Sequence, residues 1–135
     1  MVNSILDEVG DAIHFLRDPT RGGVATVLNE IVGQRQVGIN VRQTMLPIDE
    51  QVDGACELLG LDPLYVANEG IFIAFVEERA ADQVVSILSK QEGGMNASVI
   101  GEVVQDHVGK VVLSSRIGGR RVVNYLTGEQ LPRIC

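Results

Sequence analysis

The chain has 135 residues, enough for one domain with one sizeable core. Its 45% hydrophobic content is ordinary for a globular protein, but aromatics make up only 4% and Trp is absent, so Val, Ile, Leu and Ala must build the interior. A formal net charge of −7, with no basic cluster interleaved with aromatics, argues against a nucleic-acid partner.

No apolar run is long enough to span a bilayer, and Met1 to Gly10 lacks the basic region and long apolar core of a signal peptide. The chain therefore reads as cytoplasmic, with no membrane partner. Cys56 and Cys135 form no disulfide framework, no CxxC pair and no zinc-ligand spacing, so no metal site is expected. His14 and His107 stand apart from each other and from both cysteines. They read as surface or packed histidines rather than ligands.

Val2, Ile5, Leu6 and Val9 recur at helical spacing, and Gly10 can stop that helix. The helix begins abruptly at Met1. It reads as the last turns of a longer element, and the chain as a domain cut from a longer protein. Ala12 to Leu16 is a short apolar run, a strand or extended segment. Arg17-Asp18-Pro19-Thr20-Arg21-Gly22-Gly23 follows, polar, rigid and rich in glycine, and then a helical stripe of Val24, Val27, Leu28 and Ile31. Two readings fit this turn. It exposes free backbone N–H groups at the positive end of a helix dipole, which makes Thr20, Arg21, Gly22 and Gly23 an anion site. Alternatively the helix is simply well capped, with Asp18 or Thr20 as N-cap and the glycines serving turn geometry. Neither a P-loop nor a GxGxxG fingerprint is present.

Gly33 to Gly38 reads as a loop and Ile39 to Met45 as a weakly alternating strand. Pro47 opens a helix that sets Ile48, Val52, Ala55, Cys56 and Leu59 on one face, and Gly60 ends it. Cys56 on that stripe is expected to be a small buried hydrophobe. Ala67-Asn68-Glu69-Gly70 leads into Ile71 to Val76, a continuous apolar run expected to form a central strand. Glu69 at its mouth is either a functional loop residue or a turn carboxylate in water.

Ala81, Val84, Val85 and Leu88 mark another amphipathic helix, which ends near Glu92-Gly93-Gly94. Ala97 to Val104 reads as a strand with Gly101 as a bulge or close-approach point. Val111 to Ser115 and Arg120 to Asn124 flank Gly118-Gly119, a two-glycine hairpin signal. Interspersed helices and strands place the chain in the α/β (α+β) class with a mixed sheet packed by helices.

Residues 1–127 make up this domain, and residues 128–135, punctuated by Gly128 and Pro132, a flexible terminal arm with few buried contacts. Pro132 continues neither a helix nor a strand ladder. The thiol of Cys135 sits beside its own α-carboxylate. It is a reactive group on an arm, a frayed terminus, a stray oxidisable thiol or half of an intermolecular disulfide.

Taken together, these blocks resemble the HypE family of hydrogenase maturation proteins. The resemblance is carried, in order, by Arg17 to Thr26, Asn29-Glu30, Cys56 to Pro63, Ala67 to Gly70, Ile100-Gly101-Glu102-Val103 and the closing Leu131-Pro132-Arg133-Ile134-Cys135. It covers essentially the whole chain, but only the C-terminal half of a full HypE. The Gly-rich block is shared with selenophosphate and aminoimidazole ribonucleotide synthetases. The Pro-Arg-Ile-Cys terminus is the specific element. A selenophosphate-synthetase-like identity is disfavoured, because its thiol chemistry belongs on the missing N-terminal side.

The resemblance implies a fold like the C-terminal domain of aminoimidazole ribonucleotide synthetase. It also implies an ATP-dependent carbamoyl dehydratase in which HypF carbamoylates the terminal cysteine, here Cys135. The S-carboxamide becomes a thiocyanate, and the cyano group passes to iron on the HypC-HypD complex. Glu69 matches the carboxylate of the Asn-Glu-Gly motif that serves as base. Asn68 would orient the carboxamide, Arg133 would favour the Cys135 thiolate, and Thr20 to Gly23 would lie near phosphate. ATP and Mg2+ belong with the N-terminal domain that also forms the homodimer, so no cofactor is expected in this chain and no unaided ATP turnover. The alternative is a non-catalytic carrier and docking module that presents the cysteine to HypF and HypC-HypD.

Overall fold

The computed structural model describes residues 1–125 of the chain. The elements run α1 (Val2–Val9), β1 (Ile13–Arg17), α2 (Gly23–Gln34), β2 (Gly38–Arg42), α3 (Glu50–Leu59), β3 (Ile73–Val76), α4 (Ala81–Ser89), β4 (Gly101–Val104), β5 (Val111–Ser114) and β6 (Arg120–Val123). Four strands form a mixed sheet ordered β4-β2-β5-β6. In it β2 runs antiparallel to β4 and parallel to β5, and β5 and β6 form an antiparallel hairpin. β1 and β3 pair antiparallel as a separate two-stranded sheet, with Ile13 opposite Val76 and Arg17 opposite Ile73. The mixed-sheet α/β class is thus the one expected from the interspersed pattern. Gly118, at φ +90, sits in the turn of the predicted hairpin.

Two apolar clusters hold the elements together. One face of α2 (Ala25, Leu28, Val32) packs with Ile39 and Val41 of β2, Val111 and Leu113 of β5, Val123 of β6 and Leu64. Ile5 of α1 packs with Val84, Ile87 and Leu88 of α4, and Ile13, Leu16, Phe72 and Val76 lie against them. Leu28, Ile5, Val84 and Leu88 belong to the stripes read from the sequence, whereas Ala25, Val32 and Ile87 extend them and Val2 and Leu6 are exposed. At about 1.5–3 kcal/mol per buried aliphatic side chain, the two clusters carry most of the favourable free energy of folding.

Several expectations are corrected. The apolar run before Val76 is not a central strand, since among the described residues β3 pairs only with β1. It is apolar throughout because the two clusters cover opposite sides of it, Phe75 packing on the first and Phe72 and Val76 on the second. Gly10 does end α1 as its C-cap, but not in a left-handed turn. It is right-handed and continues into a 3-10 turn, Gly10–Ala12. β2 gives way after Arg42 to a 3-10 turn, Gln43–Met45, and only Gly101–Val104 of the later run joins the ladder.

α3 begins at Glu50 rather than at Pro47, so Ile48 lies outside it, and the stripe is mostly unpartnered among the described residues. Cys56 is buried, whereas Val52 is 47% and Leu59 71% exposed. Gly60 does end α3, left-handed at φ +67, with its N–H bonded to Glu57 O and that of Leu61 to Cys56 O. This is the paired-bond terminus that favours glycine. Gly101 is a close-approach point, because a Cβ there would overlap the backbone O of Asn40 on β2. His107 is a packed histidine in the turn between β4 and β5, with its Nε2 buried and unpartnered.

Candidate functional site

The glycine-rich turn lies between the end of β1 and the start of α2. Pro19 is fully buried and anchors it, while Thr20 and Arg21 are exposed. Gly22 and Gly23 are both left-handed, at φ +65 and +62, a conformation that costs a residue with a Cβ about 1–2 kcal/mol. The N-cap of α2 is Gly22, and no side chain caps it. The expected cap by Asp18 or Thr20 is therefore not formed. The two left-handed glycines carry the chain past both residues before the helix begins. The first-turn N–H groups of α2 have no side-chain cap, and Thr20 and Arg21 stand beside them.

A second segment docks onto this helix start. Asp62 caps a 3-10 turn, Pro63–Tyr65, through the Leu64 N–H to its Oδ1 at 3.0 Å. A Cβ on Gly23 would lie 2.5 Å from Leu64 O and 2.6 Å from Val66 O, so only glycine permits this approach. Three residues beyond Tyr65, the Asn68 N–H donates to Pro19 O at 3.1 Å. The Thr20 to Gly23 turn and the Asn68-Glu69 motif are thereby joined across nearly fifty residues of sequence. Asn68 and Glu69 are both exposed, and Gly70 is left-handed at φ +90. Glu69 stands on an open loop ahead of β3.

The same package holds the end of β6. Tyr65 OH donates to Asn124 O at 2.8 Å. Asn29 Nδ2 on α2 donates to Val123 O at 3.0 Å and to Ala25 O at 2.8 Å. Arg121 pairs with Asp62. Arg17 pairs with Glu30 at 2.7 Å, linking the end of β1 to α2. Burial pushes the Tyr65 hydroxyl above its ordinary value of 10.0, and the neighbouring Asp62 carboxylate adds to the rise.

Sequence reasoning missed Tyr65, Asp62 and Arg121. The Asp62-Pro63 turn signal was available, but nothing in it points to a partner on β6. Cys135 and Arg133 lie outside the described residues, as does the boundary placed at residue 127.

Among the described residues no three His, Cys, Asp or Glu side chains group as metal ligands. Among the described residues no side chain caps the start of α2, and Thr20 and Arg21 precede it in the chain. The cavity between the end of α1 and the start of α4, lined by Leu6, Asp7, Asp11, Arg79 and Gln83, includes none of these residues. No helix is long and apolar enough to cross a membrane.

The family described as AIR synthase related protein, C-terminal domain, matches residues 1–114. The carbamoyl dehydratase HypE of Cupriavidus necator is 50% identical over 123 residues, which is 91% of this chain and 35% of that protein. A crystal structure of HypE in complex with ATP superposes with a TM-score of 0.91 at 46% identity, over 99% of this chain and 41% of that one. HypE in a crystal structure of a HypE-HypF complex matches at a TM-score of 0.85 and 40% identity, over 91% of this chain and 39% of that one. The chain spans about a third of the length of the curated relative it matches.

Proposed function

The chain belongs to the AIR synthase related protein C-terminal domain family, and from that premise we propose that it is the tail-bearing part of an ATP-dependent carbamoyl dehydratase. In this reading HypF loads a carbamoyl group onto Cys135. The longer protein then removes water from the S-carboxamide, and the cyano group moves on to iron held by HypC-HypD. The similarity to proteins named carbamoyl dehydratase and to a HypE crystallised with HypF supports this reading. The observation that carries it is the junction of three parts: the Thr20 to Gly23 turn, the Asn68-Glu69 loop and the end of β6, from which the chain runs on to the terminal cysteine.

Conversion of –S–C(=O)NH2 to –S–C≡N breaks the C=O double bond and both N–H bonds. The two N–H pairs become the two additional C–N bonds, the oxygen leaves as phosphate, and of the two protons one goes to the base and one to solvent. ATP supplies the phosphoryl group that makes the oxygen able to leave. Glu69 accepts a proton from the amide nitrogen. Asn68, two-faced as donor and acceptor, holds the carboxamide in plane. The first-turn N–H groups of α2, with Thr20 and Arg21, face the phosphate or the charge developing on oxygen. Arg133 favours the Cys135 thiolate against the pull of the α-carboxylate. In this reading the remaining walls of the site around Glu69, the Mg2+ site and the dimer contacts belong to the rest of the longer, cytoplasmic protein.

A second reading, a carrier and docking module without catalysis of its own, is favoured for the isolated domain by the exposure of Asn68 and Glu69. Both readings require the thiol. Replacing Cys135 by Ala in cells that make a [NiFe] hydrogenase is expected to abolish its maturation. Intact maturation would sink both.

A further inference from the structure

We propose that Tyr65 is a positioning residue that, together with Asn29, clamps the root of the carrier arm beside the glycine-rich turn; this rests on the dehydratase reading above. Among the described residues β6 is the edge strand of the four-stranded sheet, paired only with β5. The last residues of an edge strand fray readily. Here successive groups along its end are held from outside the sheet. Arg121 is paired to Asp62, Val123 O is bonded by Asn29, and Asn124 O is bonded by Tyr65.

None of these holders comes from the sheet. Asn29 lies on α2, and Asp62 and Tyr65 flank the 3-10 turn on which the start of α2 rests. The backbone carbon of Tyr65 lies 3.0 Å from where a Gly23 Cβ would stand. One rigid group of residues therefore fixes both the helix terminus and the point from which the arm departs.

Magnitudes separate two ways in which such a clamp could act. Cys135 lies ten residues beyond Tyr125. Freeing about two more would lengthen the arm by a fifth and lower the effective concentration of its end by less than about twofold, since that concentration falls roughly as the −3/2 power of length. Arm length is thus a weak lever. The clamp acts by fixing where the chain leaves β6, beside the glycine-rich turn.

The test uses the full-length protein, loaded by HypF from carbamoyl phosphate, with single-turnover conversion of carboxamide to nitrile followed after ATP is added. Tyr65→Phe keeps the ring and removes only the donor. It is expected to slow conversion by between about twofold and about fivefold, the upper figure being the most by which one net hydrogen bond shifts the clamped-to-released ratio, while loading by HypF stays within about twofold of wild type. Insertion of two glycines after Gly128 lengthens the arm and leaves its root intact, and is expected to change conversion by less than about twofold.

Conversion by Tyr65→Phe within twofold of wild type overturns the proposal. So does an equal fall in loading and conversion, which marks a merely structural role, or a loss on glycine insertion as large as that in Tyr65→Phe. Wild-type protein that is loaded but yields no nitrile with ATP overturns the dehydratase reading itself, and the clamp's role with it.

Discussion

The proton that leaves the amide nitrogen needs an acceptor, and Glu69 is the carboxylate on the loop tied to the glycine-rich turn through Asn68 and Pro19. Glu69→Gln in the full-length protein is expected to leave loading by HypF unchanged and to let carboxamide accumulate. Dehydration should slow about 10²–10⁴-fold, the usual contribution of a positioned base. Dehydration at the wild-type rate would remove Glu69 from the role. Tyr65 makes a second prediction at this scale. Its hydroxyl titrates above 10.0 in the fold, because burial and Asp62 disfavour the phenolate. A pKa raised on folding means that the stabilisation is fully present below the unfolded value and is lost as pH rises through the folded one. Stability should therefore fall above about pH 10, and Tyr65→Phe should flatten that fall when urea midpoints are compared across the range. An unchanged fall in the variant would contradict this. Glu69 was legible in the sequence as a carboxylate next to a permissive glycine ahead of an apolar strand. Tyr65 was not, because its partner is a backbone carbonyl 59 residues away, and spacing carries no trace of such a pairing.

Helices and strands were read from periodicity, which reports what a segment buries but not what it meets. The stripes on α2 and α4 found partners, as did the hairpin around Gly118. The stripe on α3 did not, and among the described residues Leu58 and Leu59 stay 91% and 71% exposed. The run at β3 was assigned to a sheet centre for the same reason. A strand covered on both faces by two clusters looks in sequence like one flanked by two strands. The start of α2 gives a test at this scale. Gly23→Ala forces a Cβ against Leu64 O and Val66 O at a left-handed φ, and is expected to cost about 1–3 kcal/mol. Gly33 lies near the other end of the same helix, and a methyl group added there would meet nothing within 4 Å, so Gly33→Ala should gain about 0.5–1 kcal/mol. Opposite shifts of the two urea midpoints are expected. Equal midpoints would contradict the packing of the Pro63–Tyr65 turn on the head of α2.

At the scale of the whole molecule, this domain is, in the proposed reading, one side of a site: the glycine-rich turn, the Asn68-Glu69 loop and the end of β6 lie together, and Asn68 and Glu69 are exposed among the described residues. The 135-residue chain alone is accordingly expected to show no ATP turnover, and turnover by the purified chain would contradict the division of labour proposed. The ordered motifs made the family and the mixed-sheet class legible. The separation into two sheets and the joining of the two motifs were not, since strand pairing and the Asn68 to Pro19 backbone bond link segments far apart in sequence. The central claim is that Cys135 carries the group being dehydrated. The mass of the C-terminal peptide of the full-length protein, incubated with HypF and carbamoyl phosphate and then with ATP, tests it most directly. The account predicts that the peptide gains a carboxamide in the first step and loses the mass of one water only after ATP is supplied. A Cys135 that is never loaded, or a carboxamide that persists in the presence of ATP, would contradict it.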